Sequence, residues 1–365
     1  MVVIALGVVG VQILFTVVIL FGLRRWPMHN DGGIKQPISL IIAARNEANN
    51  LLENIPSWLA QNHAEYEVLI ALNGCTDESL NVVKQFSEES DRIHLVLVPE
   101  AYTSSGKKAA LTYAISQAKY DNLVFTDADC VPSSPDWLSG FAQSFSSGNE
   151  LIIGAGMFRE TGSIVNALYR LDALLNACKY FSLGRLGWPY MAVGRSFGYT
   201  KRLFQRLNGF TSHTQVLSGD DDLLVNQARG NAKIGFLPVA LTISDSPQTW
   251  SDWWQQRLRH LSASKHYAWP SLLWLGGYEV TAFLCSVGLI GFLAVGYAPM
   301  WSLFFVLYVV NMMLKVFTLQ RMSSLMNYES NSYNLIFFEP LLALLNPLFS
   351  MASLIIKPTR WKRSK

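Results

Sequence analysis

Hydrophobic positions run unbroken near both ends of this chain and alternate with polar ones between. Residues 1–23 form one apolar stretch, residues 271–356 hold several more, and residues 35–265 carry the mixed pattern of a globular domain. In that middle region a short apolar run, PISLIIAA (37–44), is followed by a polar loop and the helical pattern RNEANNLLENIPSWLA. The strand pattern returns in EVLIAL (67–72), IHLVLV (93–98) and NLVFTD (122–127), the helical one in TDESLNVVKQF (76–86) and KKAALTYAISQA (107–118). Strands alternating with helices predict a doubly wound, Rossmann-like α/β domain with a mostly parallel sheet and right-handed crossovers. Such sheets bind ligands at the carboxyl ends of their strands.

The apolar ends predict a membrane protein. About 20 apolar residues span a bilayer, so residues 1–23 read as a retained transmembrane anchor, with no basic residue before them and no cleavage pattern after them. Arg24 and Arg25 follow at once, which places residues 24 onward in the cytoplasm by the positive-inside rule. A catalytic domain is expected over 24–248. The capping box Thr249-x-x-Asp252 then starts a helix near Ser251, and residues 249–269, rich in Trp and Arg, read as an interfacial amphipathic helix. Residues 270–356 hold two spans joined by a turn near 296–299, then a run interrupted by Glu339, Pro340, Asn346 and Pro347. A fourth crossing would put the basic tail, 357–365, outside, so a re-entrant or interfacial hairpin is the preferred reading of that run. The expected location is a bacterial inner membrane.

Composition fits this division: 50% of the 365 residues are hydrophobic and 15% charged. The net charge of +3 is too small to imply nucleic acid. Cys75, Cys130, Cys178 and Cys285 lack CxxC or CxxH spacing, which argues against zinc and against a disulfide framework.

Candidate chemistry lies where the strands end. Asp127-Ala128-Asp129 closes the fourth strand; two carboxylates there can hold a hard divalent cation, Mn²⁺ or Mg²⁺, with substrate phosphates, although DADCVPSSP is also a turn composition. Asp220-Asp221-Asp222 precedes an apolar helical run. Capping explains one carboxylate there, whereas three close together should raise a pKa and suit a general base. Lys107, at a helix start, can meet phosphate. Gln256, Arg259 and His260 share one helix face, and Arg259 can clamp a diphosphate; the plainer reading is a helix lying at the headgroups.

In their order these residues resemble the membrane-bound branch of the family 2 glycosyltransferases: Asn46-Glu47 after the first strand, Asn73–Asp77 after the second, Gly106-Lys107, the D-x-D, GDDDL and a Q-x-x-R element, over roughly residues 37–262. The resemblance implies a GT-A fold and an inverting, single-displacement transfer of a sugar from a nucleotide-diphosphate donor, most often a UDP-sugar. It places Asn46, Glu47, Asn73 and Asp77 near base and ribose and Lys107, Asp127 and Asp129 at the donor, with Asp129 the closer metal ligand. Asp221 becomes the base, flanked by Asp220 and Asp222, and Gln256 and Arg259 serve the leaving diphosphate. Gly194, Arg195 and Ser196, within GWPYMAVGRSFGYTKRLF, would line the acceptor side. Two departures matter: Leu72-Asn73 stands where many relatives carry an Asp pair, and His260 where relatives carry an acceptor-stacking Trp. The second weakens a processive polysaccharide synthase and favours a lipid or lipid-linked acceptor. A non-catalytic, nucleotide-binding transport or scaffold protein is the remaining alternative, and the chain lacks a Walker-type G-x-x-x-x-G-K-[ST].

Overall fold

The computed structural model describes residues 2–26, 36–100, 106–216, 218–295, 299–330 and 335–356; the basic tail and positions 296–298 of the expected turn lie outside them. After helix α1 (Val2–Leu23) the chain runs β1 (Ile38–Ala44), α2 (Ala48–Leu59), β2 (Tyr66–Leu72), α3 (Ser79–Glu89), β3 (Ile93–Leu97), α4 (Gly106–Gln117) and β4 (Asn122–Asp127). It continues through β5 (Cys130–Pro132), α5 (Trp137–Ser146), β6 (Leu151–Phe158), α6 (Ile164–Arg185), β7 (Phe197–Thr200), α7 (Lys201–Arg206), α8 (Asp222–Ala228) and β8 (Ile234–Ser244). Four helices follow: α9 (Trp250–Ser264), α10 (Trp269–Val295), α11 (Pro299–Met326) and α12 (Leu335–Ile355). The chain divides into two compact units: an α/β unit holding all eight strands with α2–α5, α7 and α8, and a helical unit of α1, α6 and α9–α12. Residues 160–190, counted above with the domain over 24–248, thus belong to the helical unit.

In the α/β unit the eight-stranded sheet has the order β3-β2-β1-β4-β7-β6-β8-β5. The first four strands are parallel, with Ile38 opposite both Tyr66 and Asn122, so β1, β2 and β4 end together. All seven residues of β1 and of β2 are buried, the pattern of central strands covered on both faces. Trp58, Trp137 and Phe141 fill the layer beside them. The second half departs from simple parallel alternation, because β7 runs antiparallel between β4 and β6, and β5 antiparallel beside β8.

In the helical unit, four helices are long and apolar enough to cross a membrane: Val2–Leu23, Trp269–Ala294, Pro299–Met326 and Phe337–Ile355. The last corrects the hairpin expectation, since Pro340 and Pro347 both lie inside one continuous helix. The polar residues that suggested a turn have partners there. Glu339 pairs with Lys315 of α11, and Asn346 donates to Glu279 of α10 at 2.7 Å while accepting from Arg257 of α9 at 3.1 Å. The sequence pattern did not single out α6, of which 15 of 22 residues are buried. Its Lys179 meets Glu279 at 2.9 Å, and its Asp172 accepts from Arg257.

Candidate active site

The loops at the carboxyl ends of β1 and β2 are stitched to one another. Asn46 adopts the left-handed conformation (φ 55°), which Asn tolerates better than most residues, and its Oδ1 accepts from the Thr76 amide at 2.8 Å. Asp77 accepts from the amides of Ala48 and Ser79 at 3.0 and 3.1 Å. These bonds outweigh partial burial and hold its carboxyl below the usual range. Glu47 is buried and accepts from Asn50. Asn73 is fully buried and donates to the Gly106 carbonyl at 3.1 Å, fixing the start of α4. These four expected donor residues therefore build one rim, with Asn73 beneath it.

At the end of β4 the carboxylates gather. Oxygens of Asp127 and Asp129 and the Cys130 sulfur lie within 4.8 Å of one another. Burial, then the neighbouring Asp127, raises the Asp129 carboxyl, against the pull of the Cys130 thiol and of Arg195. Burial and the two carboxylates also hold the Cys130 thiol well above its ordinary range, so it stays protonated and donates to Asp129 at 3.3 Å. Hard cations prefer oxygen to sulfur, so the two carboxylates are the donors that fit Mg²⁺ or Mn²⁺ here.

Lys107 joins this pair to the second acidic cluster. Its ammonium lies 2.9 Å from Asp127 and 2.9 Å from Asp220. Burial works against the charge, but Asp127, Asp220 and Asp221 hold it well above its ordinary value. Asp221 caps α8, one oxygen accepting from the Asp222 amide at 2.8 Å and the other from the Gly194 amide at 2.5 Å. Burial and the adjacent Asp220 push Asp221 up to about 6, despite Lys107. Asp222 is buried and accepts from the Ala192 amide at 3.3 Å. A side chain at Gly194 would bring its Cβ to 3.1 Å from Asp221 and 3.4 Å from Lys107, so only glycine leaves the cluster open. A pocket lined by Lys107, Thr126, Gly194, Phe197, Tyr199 and Asp220 opens beside it.

Of the other residues expected on the acceptor side, Ser196 is corrected. Its hydroxyl is fully buried between the Trp137 indole, at 3.0 Å, and the Ala240 carbonyl, at 2.6 Å. It lies in the bend that leads into β7, where these two bonds turn its side chain into the packed interior. Arg195 is locked onto β6 and β8 through Gly156, Met157 and Ser244, with its guanidinium 4.1 Å from the Phe158 ring. Gln256 and Arg259 are half-buried and His260 exposed on α9, in the helical unit.

Sequence reasoning did not find Lys108, Cys130 or Tyr199. The partners of Lys108 are main-chain carbonyls distant in sequence, which leave no signal in residue identity; the other two sit in apolar strands and read as core.

Carboxylates are thus collected at the ends of parallel strands, around one lysine and beside a pocket, where α/β sheets bind ligands. Residues 39–207 match the family described as Glycosyl transferase family 2. The chain is 24% identical over 230 residues to the probable glycosyltransferase YdaM of Bacillus subtilis, covering 61% of this chain and 54% of that one. It is 27% identical over 117 residues to a poly-beta-1,6-N-acetyl-D-glucosamine synthase of Staphylococcus aureus, covering 32% of this chain and 27% of the relative. It therefore spans about half, or less, of the length of these curated relatives. Among solved structures, the mannosyltransferase PcManGT of Pyrobaculum calidifontis, in complex with GDP-Man and Mn²⁺, shares the fold with a TM-score of 0.57 at 17% identity, covering 97% of each chain. The chain carries a family 2 glycosyltransferase domain of GT-A fold, the domain of a transferase enzyme.

Proposed function

We propose that the chain transfers a sugar, with inversion, from a nucleotide-diphosphate donor, a UDP-sugar foremost, to a lipid or lipid-linked acceptor at a membrane. The observation that carries this reading is the Asp127–Lys107–Asp220 bridge beside an Asp221 poised at about 6. Asn46, Glu47, Asn73 and Asp77 form the base and ribose rim. Asp127 and Asp129 would hold Mn²⁺ or Mg²⁺, which when bound neutralises diphosphate charge.

Asp221 takes the proton of the acceptor hydroxyl as its oxygen forms a bond to the anomeric carbon. The bond from that carbon to the diphosphate breaks, and its electron pair leaves with the diphosphate oxygen. Lys107 supplies positive charge to that leaving group, and the family resemblance alone assigns Gln256 and Arg259 to the same diphosphate. Asp220 and Asp222 hold Asp221 in place through Lys107 and the 192–194 segment. Gly194 keeps the acceptor approach open, while Arg195 acts behind Asp129 and His260 lies on the acceptor side. A cytoplasmic domain on apolar helices brings this site to a lipid; four helices of sufficient length support that arrangement.

A second reading is a processive polysaccharide synthase, favoured by the likeness to the poly-beta-1,6-N-acetyl-D-glucosamine synthase. Product length separates the two. The direct test is donor turnover in nanodiscs with Mn²⁺ or Mg²⁺ and a panel of UDP- and GDP-sugars, with and without membrane lipid. Lipid-dependent nucleotide release that Asp129→Ala abolishes is the expected result. Release that is indifferent to lipid, or that survives Asp129→Ala, contradicts the proposal.

A further inference from the structure

Beside Lys107 stands a second lysine with a different set of partners. Lys108 is 6% exposed, and its ammonium donates to the main-chain carbonyls of His213, Val216 and Ser218 at 2.7, 2.8 and 2.9 Å. These carbonyls belong to the segment that leads directly into Asp220-Asp221-Asp222, whose described residues hold one short turn of 3₁₀ helix, Thr211–His213. Little regular structure satisfies these carbonyls, although that of His213 also accepts from the Val216 amide at 3.1 Å, so a buried donor does much to decide the path. An ammonium offers three N–H groups in a tetrahedral fan, which suits three convergent carbonyls; a guanidinium is planar and does not.

We propose that Lys108 is a positioning residue for the base, gathering the 213–218 carbonyls so that the chain enters the acidic cluster on one path and delivers Asp221 to Gly194. The two adjacent lysines of α4 then grip the same segment in two ways. Lys107 holds it by the Asp220 side chain and Lys108 by the backbone. This extends the reading of Asp221 as the base and rests on it for the kinetic part only.

The test compares the full chain in nanodiscs with Lys108→Met, which keeps the length and removes the donors, and Lys108→Arg, which keeps the charge and changes the geometry. Hydrogen exchange is followed over 211–222 and over the central strands β1, β2 and β4, and kcat and donor KM are measured with Asp221→Asn alongside. The expected result in both variants is faster exchange confined to 211–222, kcat lowered by about 10- to 100-fold and donor KM within about twofold of the parent, since ångström-scale misplacement of a reacting group costs that much. Unchanged exchange at 211–222, unchanged kcat in either variant, or exchange that rises equally through the central strands overturns the proposal. Undiminished transfer by Asp221→Asn would instead remove Asp221 as the base, and the exchange data would still decide whether Lys108 sets the segment.

Discussion

The two units of this protein bury charge in opposite ways. Among the described residues of the helical unit, three cations set inside it each meet a carboxylate: Arg257 with Asp172, Lys179 with Glu279, Lys315 with Glu339. In the α/β unit five acids, Asp127, Asp129, Asp220, Asp221 and Asp222, share the cations of Lys107 and, more remotely, Lys108 and Arg195. Balanced pairs recover their desolvation cost through one another and hold helices in register. Unbalanced carboxylates recover less, and at Asp129 and Asp221 burial and a neighbouring acid raise the carboxyl. The excess of charge, rather than its burial, distinguishes the α/β cluster, the site proposed above for chemistry.

The largest expected effect tests that side of the contrast. Asp221→Asn removes a proton acceptor while preserving shape, and should lower kcat by about 10²- to 10⁴-fold, the range of general-base contributions, with thermal stability unchanged or raised. Rate assays with a calorimetric melt check both.

The next effect belongs to the helical unit and should reverse the pattern. Lys315→Met leaves Glu339 buried without its cation and should cost about 3–5 kcal/mol of stability, whereas Lys315→Met with Glu339→Leu should recover most of it. Chemical denaturation in detergent measures the difference. A single variant as stable as the pair would show that Glu339 does not depend on Lys315.

The smallest effect is a pH profile. Asp221 must be ionised to accept a proton, so kcat should fall below pH about 6 by about tenfold per unit. Its folded value lies above the ordinary 3.8, so protonation favours the folded state: that gain is complete below pH 3.8 and absent above about 6. The acid loss of activity should therefore precede any loss of structure, which circular dichroism across the same range will show.

Much of the site was legible because its residues lie where a periodic pattern stops. Strands β1, β2 and β4 end within a residue of their expected limits, which carried Asn46, Asp77, Asp127 and Asp129 to one edge. The GDDD motif was legible as excess acid before a helix. Ser196 was not, because its burial depends on Trp137 and Ala240, partners far away in the chain. Helix α6 was hidden for a related reason: Asp172 and Lys179 make it look like a surface segment until partners from other helices are known.

By itself the sequence determined the elements, the apolar ends and the identity of the acids, since local periodicity and residue chemistry need no distant partner. Only the tertiary structure decided that Lys107 bridges the two acidic motifs, that Lys108 collects three carbonyls, and that Glu339 and Asn346 sit inside one helix. Each of those depends on a contact between residues far apart in the chain, where the energy lies in geometry and desolvation rather than in composition.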